Sequence, residues 1–153
     1  MKINRTWVKW ISRILFILYI ILLSYFLFFS ERYGRTAGMD YRYNLTLFKE
    51  VKRFIKYRHE LGLESFVVNI FGNVIAFMPF GFVLPIISPE NRKLFYITLL
   101  SLEFSISIEL IQLIFKVGIF DVDDIFMNTL GGILGGILFF ICYFIYKKFM
   151  SKK

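Results

Sequence analysis

One cysteine, one histidine and three prolines are all that the 153 residues contain. The cysteine, Cys142, lies inside an apolar run. No disulfide framework or cysteine-based metal site is therefore expected, and the plain reading is a small core residue. The histidine, His59, sits among Lys and Arg and reads as a solvated loop residue. The pattern holds no nucleophile–base pair, no glycine-rich phosphate loop and no nucleic-acid motif. Acidic residues are also few, 11 against 19 Lys and Arg, which leaves a net charge of +8. The charges crowd the N-terminus, a central stretch and the C-terminal tail. A basic pattern of this kind faces anionic lipid more readily than nucleic acid. Neither nucleic acid nor a cofactor is expected.

Apolar side chain is abundant instead: 58% of residues are hydrophobic, 20% are aromatic, and mean hydropathy is +0.64. A soluble domain of this length cannot hide so much apolar surface. The composition reads as one domain of an integral membrane protein of the cell membrane. Crossing a bilayer takes roughly 20 residues of helix, and four runs qualify: Trp7 to Phe29, Phe66 to Ile87, Leu94 to Phe115, and Asp124 to Tyr146. Lys2, Arg5, Lys9 and Arg13 precede the apolar core of the first run, ILFILYIILLSYFLFF, as in a signal peptide. Its length and its bulky Phe28 and Phe29, with no small-residue cleavage site, make it a retained anchor. Trp7, Trp10, Tyr143 and Tyr146 stand at segment ends, where amphipathic rings prefer the headgroup level.

The expected fold is all-α: a membrane bundle of four transmembrane helices, with an amphipathic interfacial helix between the first and second. Residues 1–30 form the anchor, 31–65 a polar loop with that amphipathic helix, and 66–147 a three-helix membrane core. In NLTLFKEVKRFIKYRHELG, Phe48, Val51, Phe54 and Ile55 recur at helical spacing, while Lys49, Lys52, Arg53 and Lys56 project elsewhere. Thr46 is the expected cap and Gly62 the expected end. The alternative is that these apolar residues dock on the bundle. Four spans put both termini on one side. That side carries ten Lys and Arg against nine on the other. The basic N-terminus and the acidic loop VGIFDVDD favour cytoplasmic termini.

Polar groups inside apolar spans are expensive and normally face the protein interior. Asn69 and Asn73 share one face of the second span, before Pro79, Gly81 and Pro85 loosen the backbone. In the third, Ser101, Ser105, Glu109 and Gln112 fall within about 80° of one another at about 100° per residue. In the fourth, Asp124, Asn128, Gly131 and Gly135 share a face, and Gly132 and Gly136 make a second small pair beside it. Asp121 reads as an N-cap at the rim of this face, and capping and solubility account for Asp121 and Asp123. Interhelical hydrogen bonding and a convergent polar pocket both fit Asn73, Glu109, Gln112, Asp124 and Asn128. Glu103 lies about 120° or more from the Glu109 face and has no evident role.

The pattern formed by Asn69, Asn73, Phe77, Pro79 and Gly81, then Ser105, Glu109 and Gln112, then FDVDDIFMNTLGGILG, resembles the VanZ-like family. The similarity runs from about Tyr43 to Tyr146. It implies a four- or five-helix integral membrane protein of the Gram-positive cell envelope and, by analogy with the family's namesake, lowered susceptibility to the glycopeptide teicoplanin. It implies no established biochemical activity, and Glu103 is outside the pattern.

Three functions fit these residues. In the first, Asn69, Asn73, Glu109, Gln112, Asp121, Asp124 and Asn128 line a binding site. Its ligand would be a lipid-linked wall precursor, or the antibiotic's access to that precursor would be altered, with Lys49, Arg53 and Lys56 meeting phosphate or anionic lipid. In the second, Glu109 with Asp121 or Asp124 supplies acid–base or Mg²⁺ chemistry on a lipid-linked substrate. The missing nucleophile and metal cluster favour the non-enzymatic reading. In the third, the polar stripe serves a small transporter or ion pathway, which four spans without an internal repeat make least favoured for a monomer.

Overall fold

The computed structural model describes residues 5–29, 41–57, 60 and 63–151. The expectations placed on His59, on Gly62 and on the side chain of Asn69 lie outside the described residues. Helix α1 spans Arg5–Phe29, strand β1 Tyr43–Asn44, helix α2 Lys49–Lys56 and helix α3 Leu63–Ile87. A 3₁₀ turn at Pro89–Asn91 leads to α4, Leu94–Phe115. Strand β2, Phe120–Asp121, then leads into α5, Val122–Met150.

The fold is helical apart from one short parallel pairing of β1 with β2, which sets Tyr43 opposite Phe120 and Asn44 opposite Asp121. Three stretches, Trp7–Phe28, Leu94–Phe115 and Val122–Met150, are long and apolar enough to cross a membrane. In α3 the described apolar stretch is shorter, Phe71–Ile87. Pro79 and Pro85 lie inside α3 without ending it. Proline withdraws a backbone donor. In the turn before Pro79, the Tyr19 hydroxyl of α1 donates to the Ala76 carbonyl at 2.6 Å.

Glycine decides how the helices meet. A Cβ at Gly131 would strike the Val74 carbonyl of α3, one at Gly135 the Met78 carbonyl, and one at Gly81 the backbone of Gly132. The α3 and α5 backbones therefore approach as closely as small-residue contacts allow. Gly132 and Gly136 face α4 instead, against Ser101 and Ile97. The two glycine pairs thus serve two different neighbours.

Leu23, Phe77 and Ile108 form the buried core, with Tyr19, Leu27 and Phe104 packed around it. Phe16, Phe80 and Phe104 form a ring ladder, with centroids 5.6 and 4.8 Å apart. This ladder puts α1, α3 and α4 at one level. Further along, the Gln112 amide of α4 reaches the Leu27 carbonyl of α1, so these two helices run in the same direction. At the opposite end, the Arg92 Nε donates to the Pro85 carbonyl at 2.7 Å, while its guanidinium covers Phe139 and Tyr143 of α5.

Some local expectations change. Cys142 is exposed rather than in the core, because it falls on the outer part of α5, where residues 141–150 are all exposed. Thr46 does not cap α2 with its side chain: Phe48 holds the cap position in the left-handed region, φ 62°, and Thr46 contributes its carbonyl to the Lys49 N–H. Helix α2 ends at Lys56 and packs on α3 and α5, with Val51 and Phe54 half-buried and its basic residues exposed.

Candidate functional site: a buried acid–amide cluster

Along α4, Ser101, Ser105, Glu109 and Gln112 are all buried, as their shared helical face requires. Glu109 is only 2% exposed, and its Oε2 accepts the Asp121 N–H at 2.9 Å. The Gln112 side chain donates to the Leu27 carbonyl at 3.0 Å, satisfying one of the acceptors left over at the end of α1. Helix α4 closes in a Schellman turn: the Val117 N–H bonds the Gln112 carbonyl and the Lys116 N–H bonds that of Leu113. Lys116 takes the left-handed place usually given to glycine, φ 55°, and its ammonium lies 4.5 Å from the Tyr41 ring centroid. This turn sends the chain back so that the Phe120 N–H reaches the Arg42 carbonyl at 3.1 Å.

The start of α5 then carries three acids, each with a different task. Asp121 is the N-cap: its Oδ1 accepts the Asp123 N–H at 2.8 Å and the Asn44 amide at 3.0 Å. Asp123 reaches sideways, and its Oδ1 accepts the Phe48 N–H at the head of α2. Phe48 also packs edge-on against Phe126, so α2 is fixed to α5 at two points. Asp124 accepts the Asn73 amide of α3 at 2.6 Å. The unpaired N–H groups and dipole at the head of α5 favour all three charges. One turn on, the Asn128 amide donates to the Ser105 hydroxyl at 3.0 Å.

The candidate residues therefore gather at one end of the bundle, opposite the ends where α1 begins and α5 finishes. They gather as linked pairs rather than as one open pocket. Glu109 joins Asp121, Asn73 joins Asp124, Asn128 joins Ser105, and Gln112 turns to α1. Asp121, expected at the rim, is buried at 8% exposure because β1 covers it. Nothing among the described residues hydrogen-bonds the buried Asn128 Oδ1 or Ser101 Oγ. Among the described residues, no three His, Cys, Asp or Glu side chains are placed to hold a metal ion. Beside the Gln112 turn, Phe28, Ile111, Phe115 and Val117 line an apolar cavity of about 320 Å³.

Sequence reasoning missed two members of the cluster. Asp123, read as a solubilising cap, is 3% exposed. Its signal was the density of acids in FDVDD, one more than a cap requires. Asn44 carried no signal, because its partner lies 77 residues away. Glu103 stays outside: it is exposed on α4, as its position on the helical wheel requires.

Long apolar helices enclosing a polar cluster at one end define a helical protein of the membrane-spanning type. The chain belongs to the VanZ/LLP1 family, whose model matches residues 16–143. It is similar to Protein VanZ of Enterococcus faecium, 32% identical over 133 residues that cover 83% of this chain and 72% of that protein. No solved structure matches.

Proposed function

We propose that this chain is a multi-pass protein of the cell membrane that crosses four times, with α3 as the remaining span and both termini cytoplasmic. On this reading the acid–amide cluster lies near the extracytoplasmic surface. There it holds the polar head of a lipid-linked wall precursor, or alters a glycopeptide's access to it, and lowers susceptibility to antibiotics such as teicoplanin. The supporting observation is the gathering of Glu109, Asp121, Asp124, Asn73 and Asn128 at a single end of otherwise apolar helices. Carboxylates and amides at a helix terminus suit a ligand with amide or hydroxyl donors. The exposed Lys49, Lys52, Arg53 and Lys56 of α2, fastened beside the cluster through Asp123, suit its phosphate or anionic lipid around it. Helix α2 then lies at the membrane surface with its apolar side on the bundle.

The test is susceptibility to several envelope-targeting antibiotics after deletion and after overexpression in the native host. Glu109→Gln and Asp124→Asn, which keep shape and remove charge, should abolish the phenotype at unchanged expression and melting temperature. Loss of phenotype in step with loss of stability would reduce the cluster to interhelical glue. Wild-type susceptibility in both variants would remove it from function altogether.

A further inference from the structure

Glu103 is a carboxyl near the middle of α4, and it is exposed on a face formed by exposed Leu99, Leu100, Ile106 and Leu110. Among the described residues no cation pairs with it; Ser107 bonds only its backbone carbonyl, at 2.7 Å. A carboxyl facing hydrocarbon is expensive and calls for a polar partner. The chain carries one of opposite charge at the same level. Arg13 of α1 is exposed, and its guanidinium lies over the Trp10 ring at 5.3 Å. The Phe16–Phe80–Phe104 ladder levels the two helices. Arg13 stands three residues before Phe16, about 4.5 Å along its axis, and Glu103 one residue before Phe104, about 1.5 Å. An extended guanidinium side chain spans that difference. Both helices run in the same direction, and their faces border one another where Phe28 and Ile111 line one cavity.

From this charge complementarity we propose that the α1–α4 face is the contact with a second copy of this chain, in a two-fold dimer where Arg13 of each copy pairs with Glu103 of the other. All copies enter a bilayer in one orientation, so groups level within one chain are level between two. A two-fold axis along the membrane normal then makes both pairs at once. The outer side of α1 supplies the apolar surround: Ile14, Ile17, Leu18 and Ile21 are each more than half exposed. Pairing across the dimer satisfies both charges without carrying either into lipid unpartnered. This rests on the membrane reading above.

The experiment uses the full chain reconstituted in phosphatidylcholine bilayers at a series of dilutions, with stoichiometry counted by single-molecule photobleaching. The expected result is a dimer that Glu103→Arg or Arg13→Glu weakens about tenfold, because either change removes both symmetry-related pairs, each a modest polar contact in lipid. The two changes together should restore it. In the Arg13→Lys variant, which keeps the charge, a zero-length carbodiimide should couple position 13 of one copy to Glu103 of another. A chain that inserts but stays monomeric at every dilution overturns the dimer. So does a Glu103→Leu variant that pairs as tightly as wild type, or a coupling product found only within one chain. Failure to insert would instead overturn the membrane reading.

Discussion

At the residue scale, the cluster depends on backbone N–H groups that only a particular side chain can satisfy. The Asp121 N–H is buried and bonded to Glu109, so Glu109→Leu strands it. A buried unpaired donor costs about 1–3 kcal/mol. Thermal denaturation in detergent should show that loss, while Glu109→Gln, which keeps a carbonyl oxygen for the same donor, should leave the melting temperature unchanged. Equal losses for the two would mean that charge rather than the hydrogen bond holds the site. Asp123→Ala should cost about 1–2 kcal/mol by the same method, because it removes the acceptor for Phe48 N–H at the head of α2. Phe48, in the left-handed region, tolerates its backbone geometry because that bond and the Phe126 ring hold it.

At the element scale, the glycines of α5 are not equivalent. A side chain at Gly135 meets the Met78 backbone, which cannot move aside, whereas one at Gly136 meets the Ile97 side chain, at 3.1 and 3.2 Å. Gly135→Ala should therefore destabilise by about 1–3 kcal/mol, the usual range for overpacking, and Gly136→Ala by less. Gly131→Leu and Gly135→Leu should prevent folding, while Ile137→Leu, at a position 38% exposed, should be nearly neutral. Similar melting temperatures and yields for all of these would show that the α3–α5 contact is loose. The other element with a consequence of its own is α2. A peptide of residues 44–62 should bind anionic vesicles in a salt-sensitive way, at about 1 kcal/mol for each Lys or Arg near the surface. Binding indifferent to both salt and lipid charge would remove the membrane surface from its role.

At the scale of the whole molecule, the proposed function depends on topology, since the cluster lies at the end of the bundle away from where α1 begins and α5 finishes. With Cys142→Ala as background, single cysteines replacing Lys2 or Lys152 should resist a membrane-impermeant maleimide in intact cells and react after permeabilisation. Labelling of either from outside would reverse the orientation and put the cluster on the cytoplasmic side, away from any wall precursor displayed outside. The exposed Arg13 and Glu103 belong to this scale too, because among the described residues no ion pair joins either of them within one chain, and the proposed dimer supplies one.

Periodicity decides what depends on neighbours along one helix. The apolar runs, the face shared by Ser101, Ser105, Glu109 and Gln112, the Asp121 cap and the close approach at Gly131 and Gly135 were all legible, because a helix places residues three and four apart on one side. Which helix each face would meet was not. That Asn73 would take Asp124, that Asn128 would take Ser105 and that Gln112 would turn to α1 follows from the packing of three separate helices. The burial of Asp121 and Asp123 was hidden for the same reason. It depends on β1 and on the head of α2, about 75 residues earlier in the chain, and hydrogen bonds over such a distance leave no mark in local spacing. Local sequence set which groups had to find partners inside, since lipid and apolar core offer none; only the tertiary fold chose the partners.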